Sequence, residues 1–271
     1  MIPYASLHNH TNFADGKHSP DEMVEAAYRA GFACFGISEH ATMDHAPEDG
    51  LKVRDMGLYE SIMRDLQAQY KGKMDVAVGI EQDIFGRPID RDYDYIIGSV
   101  HFVKKDGKFL CIDRMPELFD SHVQNHFGGD VYAMVEEYFA TVARVHAETG
   151  CHIIGHFDLI TKFNENGIRF DVNHPRVQAA ANRALDRLIP TGAIFEINTG
   201  AITRGYRKSP YPDESFLRVL NERGAKIILS ADAHHKDWVP LHFDLAAQHA
   251  KHCGYKTVMT WKDGAFVEVE L

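Results

Sequence analysis

Short apolar runs alternate with longer amphipathic segments along most of this 271-residue chain, and that alternation leaves few folds open. Residues 5–7, 35–37, 76–80, 95–100, 151–155, 194–197 and 227–230 are too short for buried helices and read as strands. Helices are predicted between them. Ser19-Pro20-Asp21-Glu22 opens one, with a hydroxyl N-cap, proline at the first helical position and acids at the positive end of the dipole. Gly31 stands just past its end. Leu58, Ile62, Leu66 and Tyr70 share one helical face, and further helices are predicted over 131–149, 175–188 and 213–223. Strands alternating with helices build a largely parallel sheet. About seven such units favour a closed α/β barrel over an open sheet. The stretch 104–129 reads as an irregular loop or insertion, of the sort that often carries function. A last apolar run at 257–261 and a turn at Lys262-Asp263-Gly264 finish the chain. Without an internal repeat, low-complexity tract or linker, residues 1–271 read as one domain.

The strand ends carry the chemistry. The first run leads to His8 and His10, the second to Glu39 and His40, the third to Glu81 and the fourth to His101. The fifth leads to His156 and Asp158, the sixth to Glu196 and Asn198, and the seventh to Asp232 and His234. In a parallel barrel these ends meet on one face, where catalytic residues gather. One histidine there would be as well explained by packing; seven successive ends with a ligand type are not. His8-Asn9-His10 and Asp232-Ala233-His234 each place two ligand types two residues apart, on the same side of an extended chain.

Net charge is −10, which argues against a binder of long nucleic acid or anionic membrane, since phosphate backbones call for clustered Lys and Arg. No apolar run approaches a membrane span, no signal-peptide pattern opens the chain, and Cys34, Cys111, Cys151 and Cys253 form no C-x-x-C pair. A cytoplasmic protein with reduced core thiols is expected. Oligomeric state is not legible in the residues.

The segments His8-Asn9-His10-Thr11, Ser38-Glu39-His40, Gly79-Ile80-Glu81, Gly98-Ser99-Val100-His101, Gly155-His156 and Ser230-Ala231-Asp232-Ala233-His234 resemble, in order, the signature of the polymerase-and-histidinol-phosphatase (PHP) superfamily. The resemblance implies a distorted (β/α)7 TIM-like barrel holding three divalent ions. It implies His8, His10, Glu81 and Asp232 on one ion, Glu81 bridging to a second held by His101 and His156, and His40 and His234 on a third. The family's usual third-ion histidine falls at Gly16 here, so Asp15 is taken in its place, with His18 the alternative. Six neutral histidines and the carboxylates Asp15, Glu81 and Asp232 leave three divalent ions with a net charge of +3, suited to a phosphate dianion. Nitrogen and oxygen donors suit Zn, Mn or Fe.

The resemblance further implies hydrolysis by direct water attack, with Asp232 or His234 passing a proton to the leaving alkoxide. Arg204 follows the sixth strand end, where related phosphatases tend to grip phosphate; Lys162 and Arg207 are weaker candidates, and His18 is a further one. Asp158 and Glu39 are expected to orient ligand histidines rather than bind metal. Glu117 and Asp120 read as a solvated face, and the remaining histidines as surface or core residues. Within the superfamily, chain length, Tyr95-Ile96-Ile97-Gly98-Ser99-Val100-His101-Phe102 and the insertion after it look most like the histidinol-phosphate phosphatases, which release L-histidinol and phosphate in histidine biosynthesis. A phosphoesterase acting on nucleotides or another small monoester is the alternative. A non-catalytic interaction barrel fits less well, because ligand types stand at all the main motif positions.

Overall fold

Ser19 caps its helix from both sides: its hydroxyl accepts the Glu22 N–H at 3.3 Å and its own N–H donates to the Glu22 carboxylate at 3.1 Å. In the computed structural model, which describes residues 2–48, 50–52 and 55–271, this opens α1 (Pro20–Ala30). Met23, Val24 and Ala27 form its buried stripe. The chain before it is β1 (Ile2–Ser6), and after it come β2 (Phe32–His40), α2 (Met56–Tyr70), β3 (Asp75–Asp83) and β4 (Tyr95–Ser99). An insertion follows: β5 (Phe102–Lys105), β6 (Lys108–Cys111) and α3 (Pro116–Phe127). Then come α4 (Val131–Val142), α5 (Val145–Thr149), β7 (Ile153–Ile154), α6 (Pro175–Leu188) and β8 (Ile194–Asn198). The remainder is α7 (Gly200–Thr203), α8 (Glu214–Glu222), β9 (Ile227–Ser230), α9 (Phe243–His252), β10 (Thr257–Lys262) and β11 (Ala265–Glu270).

Strands β1, β2, β3, β4, β7, β8 and β9 pair in that order, all parallel. β10 adds in parallel to β9 and turns back as β11. The ring closes unevenly. On the side of the strand ends, Asn9 bridges Ala233 directly and His10 N–H donates to the Ala233 carbonyl at 2.9 Å. Further down, β10 lies across the gap, and Ala5 N–H donates to Thr260 Oγ1 at 2.8 Å. A separate apolar cluster fills the interior with side chains from every strand of the ring, among them Leu7, Cys34, Ala77, Ile97, Ile153, Ile194, Ile228 and Met259. The architecture is a distorted (β/α)7 barrel with a packed centre. None of the described helices is long and apolar enough to cross a membrane.

Tyr95 sets the spacing of this interior. Its phenol end lies against Gly36 and Gly79, and its hydroxyl donates to the Leu7 carbonyl. A Cβ on Gly79 would lie 2.2 Å from Tyr95 Cζ. Gly79→Ala is therefore expected to cost about 1–3 kcal/mol by overpacking. A denaturant midpoint unchanged in that variant would show that the ring has room to move.

Two sequence expectations need correction. Residues 104–129 are ordered: β5 and β6 form an antiparallel hairpin and α3 packs Phe119 and Val123 inward. The helix expected over 131–149 breaks in two at Ala143-Arg144, without proline or glycine at the break.

Candidate metal centre

Each strand of the ring delivers its polar residues to the same end, because parallel pairing in register aligns the strand termini. His40 on β2 stands directly beside Glu81 on β3. Glu81 is wholly buried and is the hub. Its Oε2 lies 3.1 Å from His8 Nε2, 3.4 Å from His10 Nε2 and 2.8 Å from His40 Nδ1. Its Oε1 lies 3.3 Å from His101 Nε2 and 3.1 Å from His156 Nε2. Five imidazoles thus face one carboxylate.

Two more carboxylates complete the cluster. Asp232 Oδ1 lies 3.5 Å from His10 Nε2 and 3.8 Å from His8 Nε2. Asp15 reaches His234 Nε2 at 3.1 Å and His40 Nε2 at 3.8 Å. Four overlapping donor sets have ligand atoms within 4.8 Å of one another: His10 with Asp15, His40 and His234; His8 with Glu81 and His156; His8 with His10 and Asp232; His40 with Glu81 and His101. All nine residues taken as ligands from the sequence appear in them.

The donor chemistry fits a cation. His8 Nε2, both ring nitrogens of His10 and Glu81 Oε2 are buried without a hydrogen-bond partner, which native proteins seldom leave so. Burial, with His40 and His234 close by, pushes His10 down to about 3, so its ring is neutral with a free lone pair. Burial opposes ionisation of Glu81 and Asp232 as well. His8, His40 and His101 nevertheless hold Glu81 well below the usual carboxylate range, and Arg204 and His8 do the same for Asp232. Against burial, Glu81 and Asp15 raise His40 to about 9. Asp232 itself has φ of 49°, a left-handed conformation uncommon outside glycine, at the centre of the site.

A family model described as the PHP domain matches residues 6–200. The chain belongs to the PHP family. A Schizosaccharomyces pombe protein named "Probable histidinol-phosphatase" is 29% identical over 96% of this chain and 90% of its own. HisK from Listeria monocytogenes superposes with a TM-score of 0.76 at 18% identity, covering 89% of this chain and 99% of its own. The histidinol phosphate phosphatase HisK of Lactococcus lactis, solved with Zn, L-histidinol and phosphate, gives 0.70 at 19% identity over 98% and 100% of the two chains.

Around the PHP cluster opens a cleft of about 260 Å³ lined by Asp15, His40, Glu81, His101, His156, Asp232 and His234, with Arg204, Lys162, Asp113, Met43 and Phe102 among the other walls. Arg204 donates from Nη2 to Asp232 Oδ2 at 2.9 Å and from Nη1 to the Asp232 carbonyl at 3.1 Å. Its Nη1 also lies 3.3 Å from His234 Nδ1. Lys162 Nζ donates to the Asp113 carbonyl at 2.6 Å and to Asp113 Oδ2 at 3.1 Å. His18 is not brought into the cleft. It packs edge-on to His235 and accepts the Lys236 N–H at 3.3 Å, so neither the phosphate role nor the alternative ligand role fits its position.

The reason lies in the loop. Asn12 N–H donates to the His18 carbonyl and Lys17 N–H to the His234 carbonyl, which turns Asp15 inward and His18 outward. At Gly16 a Cβ would sit 2.5 Å from the His10 carbonyl oxygen, so no side chain fits where the family's histidine commonly stands.

Orientation of the ligands is shared out differently from expectation. Glu196 takes the task, with Oε1 2.6 Å from His8 Nδ1 and Oε2 accepting the His156 N–H at 2.7 Å. Asp83 holds His101 Nδ1 at 3.1 Å and its N–H at 2.9 Å. Two places beyond Glu81 on the same strand, Asp83 carried a legible signal in the alternation rule. Glu39 instead accepts the Thr11 N–H at 2.8 Å, stays 3.9 Å from His10 and is raised to about 8 by burial. Asp158 accepts the Asp213 N–H at 2.9 Å and faces buried Arg207 at 3.9 Å, pinning loops rather than a histidine. Arg207 donates to Thr161 and Ser209, away from the cleft lining.

Proposed function

We infer that this chain is a metal-dependent phosphomonoesterase that hydrolyses L-histidinol phosphate to L-histidinol and phosphate. The observation that carries it is a nine-donor cluster beside the Arg204 guanidinium, in a cleft sized for a small phosphate ester. The names of the S. pombe and L. lactis relatives support the choice of substrate.

His8, His10, Glu81 and Asp232 would hold one divalent ion, Glu81 with His101 and His156, which both face its Oε1, a second, and Asp15, His40 and His234 a third, with Zn, Mn or Fe suited to these donors. When bound, such ions lower the pKa of water towards about 7 and draw charge from phosphoryl oxygens. Arg204 grips the phosphate through its guanidinium while Asp232 and the carbonyl behind it fix its plane. Glu196 and Asp83 keep His8 and His101 turned inward. Water attacks phosphorus and the ester P–O bond breaks. The proton from the water reaches the leaving alkoxide through Asp232 or His234, the two ionisable groups against which Arg204 packs.

The inner cluster takes side chains from Ala5 to Trp261, which supports reading residues 1–271 as one barrel domain. Four free cysteines suit the reducing cytoplasm.

Phosphate release measured with histidinol phosphate, nucleoside monophosphates and an aryl phosphate, with and without added Mn²⁺, checks the assignment. Histidinol phosphate is expected to lead by at least about tenfold in kcat/KM. Parity with the aryl phosphate would leave a phosphoesterase but remove this substrate.

A further inference from the structure

Four carboxylates line the cleft: Asp15, Glu81, Asp232 and Asp113. The first three belong to the donor sets and face histidines; Asp113, from the insertion after β6, belongs to none of them. It is paired with Lys162, whose Nζ lies 3.1 Å from Asp113 Oδ2 and 2.6 Å from the Asp113 carbonyl. Cys111 Sγ adds a contact to Asp113 Oδ1 at 3.4 Å. The pair is largely out of water, with side-chain exposures of 11% for Lys162 and 21% for Asp113. Both members line the same cleft as Arg204 and the metal-facing imidazoles, and Met43 and Phe102 form an apolar wall there.

We propose that the Asp113–Lys162 ion pair is the specificity device of the site, opened by substrates that carry both a phosphate and an ammonium. The phosphate takes Lys162 as partner and the ammonium takes Asp113, so each buried charge trades one partner for another. A phosphate monoester without a cation takes Lys162 and leaves Asp113 buried and unpaired, a costly state. A cation without a phosphate leaves Lys162 in the same position. Discrimination therefore comes from the penalty on wrong ligands as much as from contact with the right one. Burial disfavours the Asp113 carboxylate, but the Lys162 ammonium 3.1 Å away favours its charged form, so the charge needed for the exchange is present.

This inference rests on the amino-phosphate reading of the site, and the experiment separates the two. kcat/KM is measured for L-histidinol phosphate and for the same ester lacking the amine, in the parent enzyme and in Asp113→Asn, with metal content checked. The parent is expected to favour the amine-bearing ester, and Asp113→Asn to shrink that preference by roughly tenfold or more, through KM. An unchanged preference in the variant overturns the role of the pair and leaves the phosphatase reading standing. A parent that prefers a different amino phosphate overturns histidinol phosphate as substrate and supports the pair. A parent indifferent to the amine overturns the pair. Lys162→Met provides an independent reading should Asp113→Asn not fold. Inhibition by L-histidinol alone is expected to tighten by roughly tenfold once Asp113 has lost its internal partner. Weaker or unchanged inhibition overturns the exchange.

Discussion

Glu81→Ala is expected to lower turnover by about 10⁴-fold or more, because the groups around it act as a unit. The residue touches His8, His10, His40, His101 and His156 at 3.4 Å or less, so it joins the ends of β1, β2, β4 and β7 to its own strand β3. Removing it leaves five imidazoles without the carboxylate they share. Retained metal is expected to fall together with activity, since two of the four donor sets contain Glu81. Metal analysis of the purified variant beside steady-state kinetics checks both. A variant that keeps its full metal complement and works within tenfold of the parent would remove Glu81 from the centre.

Asp232 gives the second large effect, and its backbone allows charge and conformation to be separated. With φ at 49°, the position suits Asn nearly as well as Asp but costs alanine about 1–2 kcal/mol. Asp232→Asn is expected to keep the loop in place and lose about 10²–10³-fold in kcat, the scale seen when one preorganised electrostatic group is removed. It deprives His10 and His8 of one of their two nearby carboxylates, Glu81 being the other, and Arg204 of its charged partner at 2.9 Å. Asp232→Ala should lose at least as much activity and, in addition, unfold at lower denaturant. Comparison of the two unfolding midpoints with the two kcat values makes the test. Near-parent activity in Asp232→Asn would show that the carboxylate charge is not needed.

The clustering of the candidate ligands was legible because parallel strands impose a simple rule: whatever follows each apolar run ends on one face. The α1 boundary was legible for an equally local reason, the reciprocal capping of Ser19 and Glu22. Elsewhere the residues obey tertiary demands. The hairpin of β5 and β6 turns on Asp106-Gly107, both at positive φ, a two-residue signal overlooked because its strands are only four residues long. Asp263-Gly264 repeats that turn, and the expected turn there proved to lead into a further strand, β11. His18 and Asp15 could not be separated from spacing alone, since the direction of that loop is set by carbonyls of His18 and His234 that meet it only in the folded barrel. Asp113 was out of reach for the same reason: its meaning comes from Lys162, 49 residues away.

The seam where Asn9 meets Ala233 has a consequence for how the protein is made. His8 and His10 leave the ribosome early, while Asp232 and His234 follow more than two hundred residues later. A nascent chain that stops short of Asp232 lacks two of the nine donors, so cations would bind a barrel that contains them in preference to shorter precursors. Binding of that kind would stabilise the native state by mass action and clasp β1 to β9. Bound ions would therefore act as a check on completeness, rewarding a chain in which the ends of β1 and β9 have found each other.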